Sequence, residues 1–399
     1  MTHIERPAYL HWLQTWRDRQ IIKVVSGVRR CGKSTLFEMY RTSLLSEGIE
    51  PNQIVAINFE DLAYESLCDY RSLYDYVVSK LQEGRANYVF LDEIQHVPEF
   101  EKAVDSLFVR ENVDIYLTGS NAYFMSGELA TLLSGRYVEL KMLPLSFKEF
   151  CAASRYSSCE QLFNDYLARS SFPYVSKFNL DEGDAKRYLE DVYHSILLKD
   201  VVARLNIADV SALESVVKFI FHNIGSSVSM KKISDTFKSA GRNIDQKTVA
   251  KYLRGLTDSL ILHEATRYNI KGRQILTTQP KYYVTDLALR NILVQGSSSD
   301  IGHILENVVY LELLRRGFQV NVGHLNNGEI DFVAMKPGEK QYFQVSATTL
   351  DEHTLERELA PFKAVRDNYP KTLLTLDTVF READYGGVQK RNALDWLLE

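Results

Sequence analysis

The stretch from Ile21 to Phe37, IIKVVSGVRRCGKSTLF, constrains the fold of this chain more than any other. Ile21, Ile22, Val24 and Val25 form an apolar, β-branched run, as expected for a parallel strand buried on both faces. The run continues into Gly27-Val28-Arg29-Arg30-Cys31-Gly32-Lys33-Ser34, which fits G-x-x-x-x-G-K-[ST] at every fixed position. After Thr35 the chain turns apolar at helical spacing through Leu36, Met39 and Tyr40. Strand, loop and helix in this order predict a phosphate-binding loop over residues 27–35. Gly27 and Gly32 let the backbone curl around an anion, and the amides of Gly32 to Ser34 point inward at a helix start. Lys33 is placed to reach the β and γ phosphates of ATP, and Ser34 offers a hydroxyl to magnesium, a hard cation that prefers oxygen. Cys31 reads as a small filler, not a reactive thiol.

Tyr88-Val89-Phe90-Leu91-Asp92-Glu93 has the form of a second catalytic strand, four apolar residues followed by two acids. Asp92 would hold the magnesium, directly or through water, and Glu93 would orient the attacking water or take its proton. Such an acid pair points to hydrolysis by water; a small-molecule kinase needs no such base. A further strand, Asp114 to Leu117, runs into Thr118-Gly119-Ser120-Asn121, where Ser120 or Asn121 is the candidate to reach the γ phosphate or to cap the next helix. Asn58, closing the strand Gln53 to Phe59, is expected beside Glu93, holding it unproductive until a partner binds. Near the N-terminus, Tyr9, Trp12, Leu13 and Trp16 share one helical face, and Leu67 to Leu81 has helical periodicity.

The strings GVRRCGKST, LDEIQ and LTGSN, with Leu132-Leu133-Ser134-Gly135-Arg136 and Leu143-Pro144-Leu145-Ser146-Phe147-Lys148-Glu149-Phe150, resemble the prokaryotic AAA+ family ATPases that carry a C-terminal domain of unknown function, DUF4143. The resemblance extends over essentially the whole chain and implies an α/β nucleotide-binding core. It makes Arg136 the candidate arginine that senses or stabilises the γ phosphate, in cis or from a neighbouring subunit, with a plain salt bridge as the alternative. It also implies a homo-oligomer, commonly a hexameric ring, although a cis arginine would permit a monomer.

Charge is unevenly spread. The chain carries a net −5, yet residues 211–290 hold thirteen Lys or Arg against six acids. Helices are expected from Leu213 to Ile224, Met230 to Ala240 and Asp245 to Ser259, with Ser229 and Asp245 as N-caps and Gly241 as a stop. Two strands, Leu260 to Tyr268 and Gln274 to Val284, follow. Three helices and a hairpin predict a winged helix-turn-helix in which Gln246, Lys247, Lys251 and Arg254 meet DNA phosphates or base edges, with Lys271 and Arg273 on the wing. Winged helices also serve as protein-protein modules, and that alternative stands.

The last hundred residues read as helix Ile301 to Arg316 and strands Phe318 to Val322, Ile330 to Met335 and Gln341 to Ser346. The order, with Glu306 and Asp331, resembles the PD-(D/E)XK nuclease core, in which carboxylates gather around magnesium and a lysine steadies the attacking water. Gln344 stands where an acid is usual and Ser346 where the lysine should be, so a degenerate nuclease fold is expected. Glu329 points the same way as Asp331 and extends the site without restoring the lysine.

The expected fold is therefore α/β: an AAA+-like P-loop core at 1–152, a helical connector at 153–210, a winged helix at 211–296 and a nuclease-like domain at 297–399. The expected function is a magnesium-dependent ATPase that engages or remodels branched or single-stranded DNA. The alternatives are a nucleotide-controlled signalling or defence switch acting on a protein partner, and an ATP-regulated nuclease. Four scattered cysteines without a C-x-x-C pair indicate neither zinc nor a disulfide framework. The absence of a long apolar run and of a signal-peptide core leads to the expectation of a cytoplasmic protein with no membrane partner.

Overall fold

A computed structural model describes residues 4–119, 133, 135–154, 158–294, 301–326 and 328–399. The chain divides into two compact units, one of residues 1–144 with 258–260, the other of residues 145–257 and 261–399.

The first unit is built on a parallel sheet of β1 (Ile22–Gly27), β2 (Ile54–Asn58), β3 (Asn87–Asp92), β4 (Val113–Thr118) and β5 (Tyr137–Met142), in the order β2-β3-β4-β1-β5. Every residue of β1, β3 and β4 is buried, as central parallel strands require. The buried Lys23 in β1 is neutralised by Asp114 in β4. Helices α1 (Pro7–Trp16), α2 (Lys33–Ser46), α3 (Tyr70–Lys80) and α4 (Phe100–Phe108) complete the unit. Tyr9 and Leu13 form the buried side of α1, and the rings of Trp12 and Trp16 lie 6.3 Å apart, tilted at 52° to each other. The helix expected from Leu67 begins later, because Asp69 caps it by accepting from Ser72 N. Strand β5 had no counterpart in the sequence reading.

The second unit opens with α5 (Phe147–Ala153), α6 (Cys159–Arg169), α7 (Pro173–Lys177) and α8 (Glu182–Ser195), the last continuing as a π-helix through Ile196–Ala203. Then come α9 (Val210–His222), α10 (Met230–Ser239) and α11 (Gln246–Asp258). Ser229 and Asp245 accept from Lys232 N and Thr248 N at the predicted caps, and Gly241 takes φ +77°.

The remaining elements are β6 (Leu262–Asn269), β7 (Gln274–Val284), α12 (Leu287–Asn291), α13 (Ile301–Arg315), β8 (Gln319–Leu325), β9 (Gly328–Lys336), β10 (Glu339–Ser346), α14 (Glu352–Lys363), β11 (Lys371–Thr375), β12 (Ala383–Asp384), β13 (Val388–Asn392) and α15 (Ala393–Leu398). All eight strands form one sheet, β12-β13-β11-β10-β9-β8-β6-β7. The sheet thus takes strands from both sides of the boundary expected between residues 296 and 297. The hairpin β6–β7 is not a free wing, because β6 also pairs in parallel with β8, Arg267 opposite Val322 and Tyr268 opposite Gly323. An edge strand left open exposes unpaired backbone groups, and β8 closes that edge.

Candidate functional site

The loop between β1 and α2 has the backbone its glycines require. Gly32 is the N-cap of α2 at φ +103°, and a Cβ on Gly27 would lie 2.5 Å from Met142 O and 2.8 Å from Cys31 Sγ. Cys31 is wholly buried beneath the loop and burial pushes its thiol pKa up, so it stays a neutral filler as expected. Val28 is buried too, whereas Arg29 lies 3.9 Å from Glu60 and Arg30 adopts φ +69°.

Lys33 is buried, donates to Gly27 O at 3.3 Å and lies 3.6 Å from Glu93 Oε1. Asp92 ends β3 and Glu93 follows it, and a residue of β4 organises both. The Thr118 hydroxyl donates to the Asp92 carboxylate and accepts the backbone N–H of Glu93 at 2.9 Å. Burial pushes the Asp92 pKa up, against hydrogen bonds from Thr118 and Ser34. Burial works the same way on Glu93, but Lys33, the hydrogen bond from Gln95 and Arg29 outweigh it and hold this carboxyl below its ordinary value. Glu93 itself sits in the left-handed region at φ +55°, a conformation uncommon for a side chain of this size. Gln95 Nε2 donates to its carboxylate at 2.5 Å.

A cleft of about 320 Å³ opens here, lined among others by Ser34, Thr35, Glu38, Asn58, Phe90 and Asp92. Ser34 and Asp92 are adjacent oxygen donors in a pocket beside a lysine and a helix start, which suits magnesium bound together with phosphate oxygens.

Two expectations change. Asn58 lines the cleft, but its Oδ1 accepts the Glu60 N–H, and Gln95 is the side chain that holds Glu93. Arg136 cannot serve in cis. It immediately precedes β5, whose first residue pairs with Ile22, so it lies at the start of the sheet while the phosphate loop follows Gly27 at the other end. Five residues of strand, roughly 16 Å at ~3.3 Å each, intervene. Its guanidinium instead meets Asp105 at 3.8 Å and stacks on Phe108 at 5.5 Å. Ser120 and Asn121 lie outside the described residues. Thr118, which the sequence reading passed over, is the polar residue at the end of β4 that meets the acids; its hint was its place as the last residue of an apolar strand.

In the second unit Gln246, Lys247, Lys251 and Arg254 are exposed along α11, opposite the buried Val249, Tyr252, Leu253 and Leu256. Lys271 and Arg273 are exposed in the turn between β6 and β7. The nuclease-like residues come together in part. Glu306 of α13, Glu329 and Asp331 of β9 converge, and Gln344 Oε1 accepts the Asp331 N–H at 3.2 Å. Ser346 turns aside and donates to Thr348 O at 3.1 Å. The sequence reading missed Lys281 of β7, whose Nζ lies among the three carboxylates. Burial works against its charge, but Glu306, Asp331 and Glu329 outweigh it and its pKa rises. Asp331 is pushed well up, by burial first and then by Glu306.

A strand, a glycine-bounded loop, a helix and an acid pair at the end of a strand one place further along the same parallel sheet, beyond β4, define an AAA-type P-loop nucleotide-binding domain. Residues 19–151 match the family model described as AAA domain. The chain is 38% identical to an uncharacterized protein of Haemophilus influenzae, over 99% of both, and 30% identical to an uncharacterized protein of Methanocaldococcus jannaschii, over 87% of this chain and 79% of that one. The chain belongs to the family of these two proteins. Residues 160–300 match a domain of unknown function, DUF8612, where the resemblance had implied DUF4143. A Walker-type ATPase of Pyrococcus abyssi is similar at TM-score 0.49 and 16% identity, over 73% of this chain and 95% of that one. Among the described residues no helix is long and apolar enough to cross a membrane.

Proposed function

We propose that this protein is a magnesium-dependent ATPase that engages DNA through the second unit. The observation that carries the hydrolase reading is the bridge from Thr118 to Asp92 and Glu93, beside Lys33 and Ser34. Magnesium, when bound with ATP, would neutralise phosphate charge. Ser34 and Asp92 would hold it, and Lys33 would turn from Glu93 to the β and γ phosphates. That turn frees the Glu93 carboxylate to orient water and accept its proton.

DNA engagement rests on the exposed face of α11 and the turn at Lys271 and Arg273, in a winged-helix-like set of three helices and a hairpin. Its main contribution is contact with phosphates, which is independent of sequence and weakens with salt. A second reading, a nucleotide-controlled switch acting on a protein partner, is favoured by one observation: Lys33 and Gln95 together restrain Glu93.

ATP hydrolysis by the wild type and by Glu93→Gln, with and without single-stranded, duplex and four-way DNA at two salt concentrations, separates them. Stimulation by one DNA form, weakened by Lys247→Glu and Lys251→Glu, supports the DNA-driven enzyme. Glu93-dependent hydrolysis that ignores every DNA moves the assignment to the switch. No hydrolysis at all, with ATP bound, removes the ATPase reading.

A further inference from the structure

The carboxylate cluster of the second unit already holds a cation of its own. Lys281 Nζ lies 3.0 Å from Glu306 Oε1, 2.7 Å from Glu329 Oε1 and 3.9 Å from Asp331 Oδ1, and the residue is only 4% exposed. It reaches this point from β7, the strand that the eight-stranded sheet places beyond β8 and β6 from the acids of β9. That is why no local motif announced it.

The second oxygens of Glu306 and Asp331 face groups of this chain. Glu306 Oε1 also accepts the Tyr283 hydroxyl at 2.5 Å, and its Oε2 faces His303 Nδ1 at 3.5 Å. Asp331 Oδ2 accepts the Val345 N–H at 2.8 Å. Gln344, in the place of a metal-binding acid, spans from the Asp331 backbone to Glu358, donating to the latter at 2.9 Å.

A nuclease-type arrangement implies a divalent metal among these acids, and the residues present do not fit one. A hard divalent cation needs about six oxygens at about 2.0–2.6 Å, several of them from water. Here the centre is filled by an ammonium within hydrogen-bond distance of Glu306 and Glu329 and within ion-pair distance of Asp331. Ejecting it would strand a buried positive charge, because the lysine is enclosed on its own strand.

We propose that Lys281 is the resident cation of this cluster, standing where a divalent metal would otherwise bind, so that the second unit cleaves no phosphodiester bond and becomes a divalent-cation site only when the ammonium is removed. Glu306, Glu329 and Asp331 are then a structural staple joining α13 and β9 to β7. The Gln344 and Ser346 departures belong to the same change: with a lysine in the metal's place, neither the third acid nor the water-steadying lysine has a task.

The test uses the full chain without nucleotide and manganese as the probe. Manganese binding is counted by electron paramagnetic resonance in the wild type, Asp331→Asn, Lys281→Met and Lys281→Met/Asp331→Asn, with thermal unfolding followed in parallel. The wild type and Asp331→Asn should bind the same number of ions. Lys281→Met should unfold at a lower temperature, gain one further ion and regain stability with it, and the double variant should lose that gain. A folded Lys281→Met that gains no ion overturns the proposal. So does a wild-type site abolished by Asp331→Asn, or manganese-dependent nicking of plasmid DNA that Asp331→Asn removes. The last two comparisons do not need Lys281→Met, so they decide the matter even if that variant fails to fold.

Discussion

The Thr118 hydroxyl is shared between Asp92, the last residue of β3, and Glu93, which follows it, donating to the Asp92 side chain and receiving the Glu93 backbone N–H. One side chain therefore fixes both the carboxylate placed for the metal and the turn that presents the carboxylate placed for water. Thr118→Val keeps the shape and removes the hydroxyl. It leaves the buried Glu93 N–H unpaired, at a cost of about 1–3 kcal/mol, and frees Asp92 to rotate. ATP turnover should fall by about 5- to 150-fold, and the magnesium concentration for half-maximal activity should rise. Unchanged magnesium dependence in steady-state assays would separate Thr118 from the metal.

Gln95 reaches back two residues to hold Glu93 through a hydrogen bond to its ionised carboxylate. With Lys33 drawn to phosphate, this is a remaining restraint on that group. A donor to the charged form lowers a carboxyl pKa, and Glu93 is held below its ordinary value partly for this reason. Gln95→Ala should raise the pKa of Glu93, move the acid limb of the pH–rate profile to higher pH and increase turnover at neutral pH several-fold. Glu93→Gln should instead lose about 10²–10⁴-fold. A loss in Gln95→Ala as deep as that of Glu93→Gln would mean that Gln95 holds Glu93 in its working position.

What the sequence made legible follows the distance over which each feature is set. The phosphate loop, the β3 acids and the caps at Ser229 and Asp245 depend on residues a few positions apart, so spacing alone exposes them. Thr118, Gln95 and Lys281 act across strands or around a turn, and their partners depend on sheet order and register. The hairpin β6–β7 shows the limit most plainly. Its two strands follow from the local pattern, but whether its edge lies open as a wing or pairs with β8 is decided by a segment 55 residues along the chain, Arg267 opposite Val322. Strand β5 was missed for a related reason: Glu139 and Lys141 break its apolar run, and an edge strand tolerates what a central one does not.

Arg136 is half-exposed and engaged with Asp105 and Phe108 at the far end of the sheet from the phosphate loop. An ion pair so exposed contributes about 0–1 kcal/mol. Arg136→Ala should therefore leave stability and the ATPase rate of dilute protein within about two-fold of the wild type. The informative comparison repeats the assay over a range of protein concentrations. A defect that emerges only as concentration rises, together with a larger species in sedimentation, would assign Arg136 to the site of a neighbouring copy.

The second unit contains a buried ion pair with no part in either candidate site, Lys390 with Asp377, 2.8 Å apart and almost fully enclosed. Burial alone would push the Asp377 carboxyl up, but hydrogen bonds from Lys390, Thr348 and Thr349 outweigh it and hold its pKa at about 2. A carboxyl depressed on folding stabilises the native state fully above its unfolded value, near 3.8, and that contribution disappears as pH falls through about 2. Urea unfolding followed by circular dichroism should therefore show this contribution shrinking between pH 4 and pH 2. Lys390→Met leaves a buried carboxylate unpaired and should cost about 3–5 kcal/mol at pH 7. Lys390→Met/Asp377→Asn should recover much of that loss and lack this part of the acid sensitivity, because the double variant carries no charge at either position. If the double variant is no more stable than Lys390→Met, the lysine acts through its packing and the pair is not an electrostatic unit.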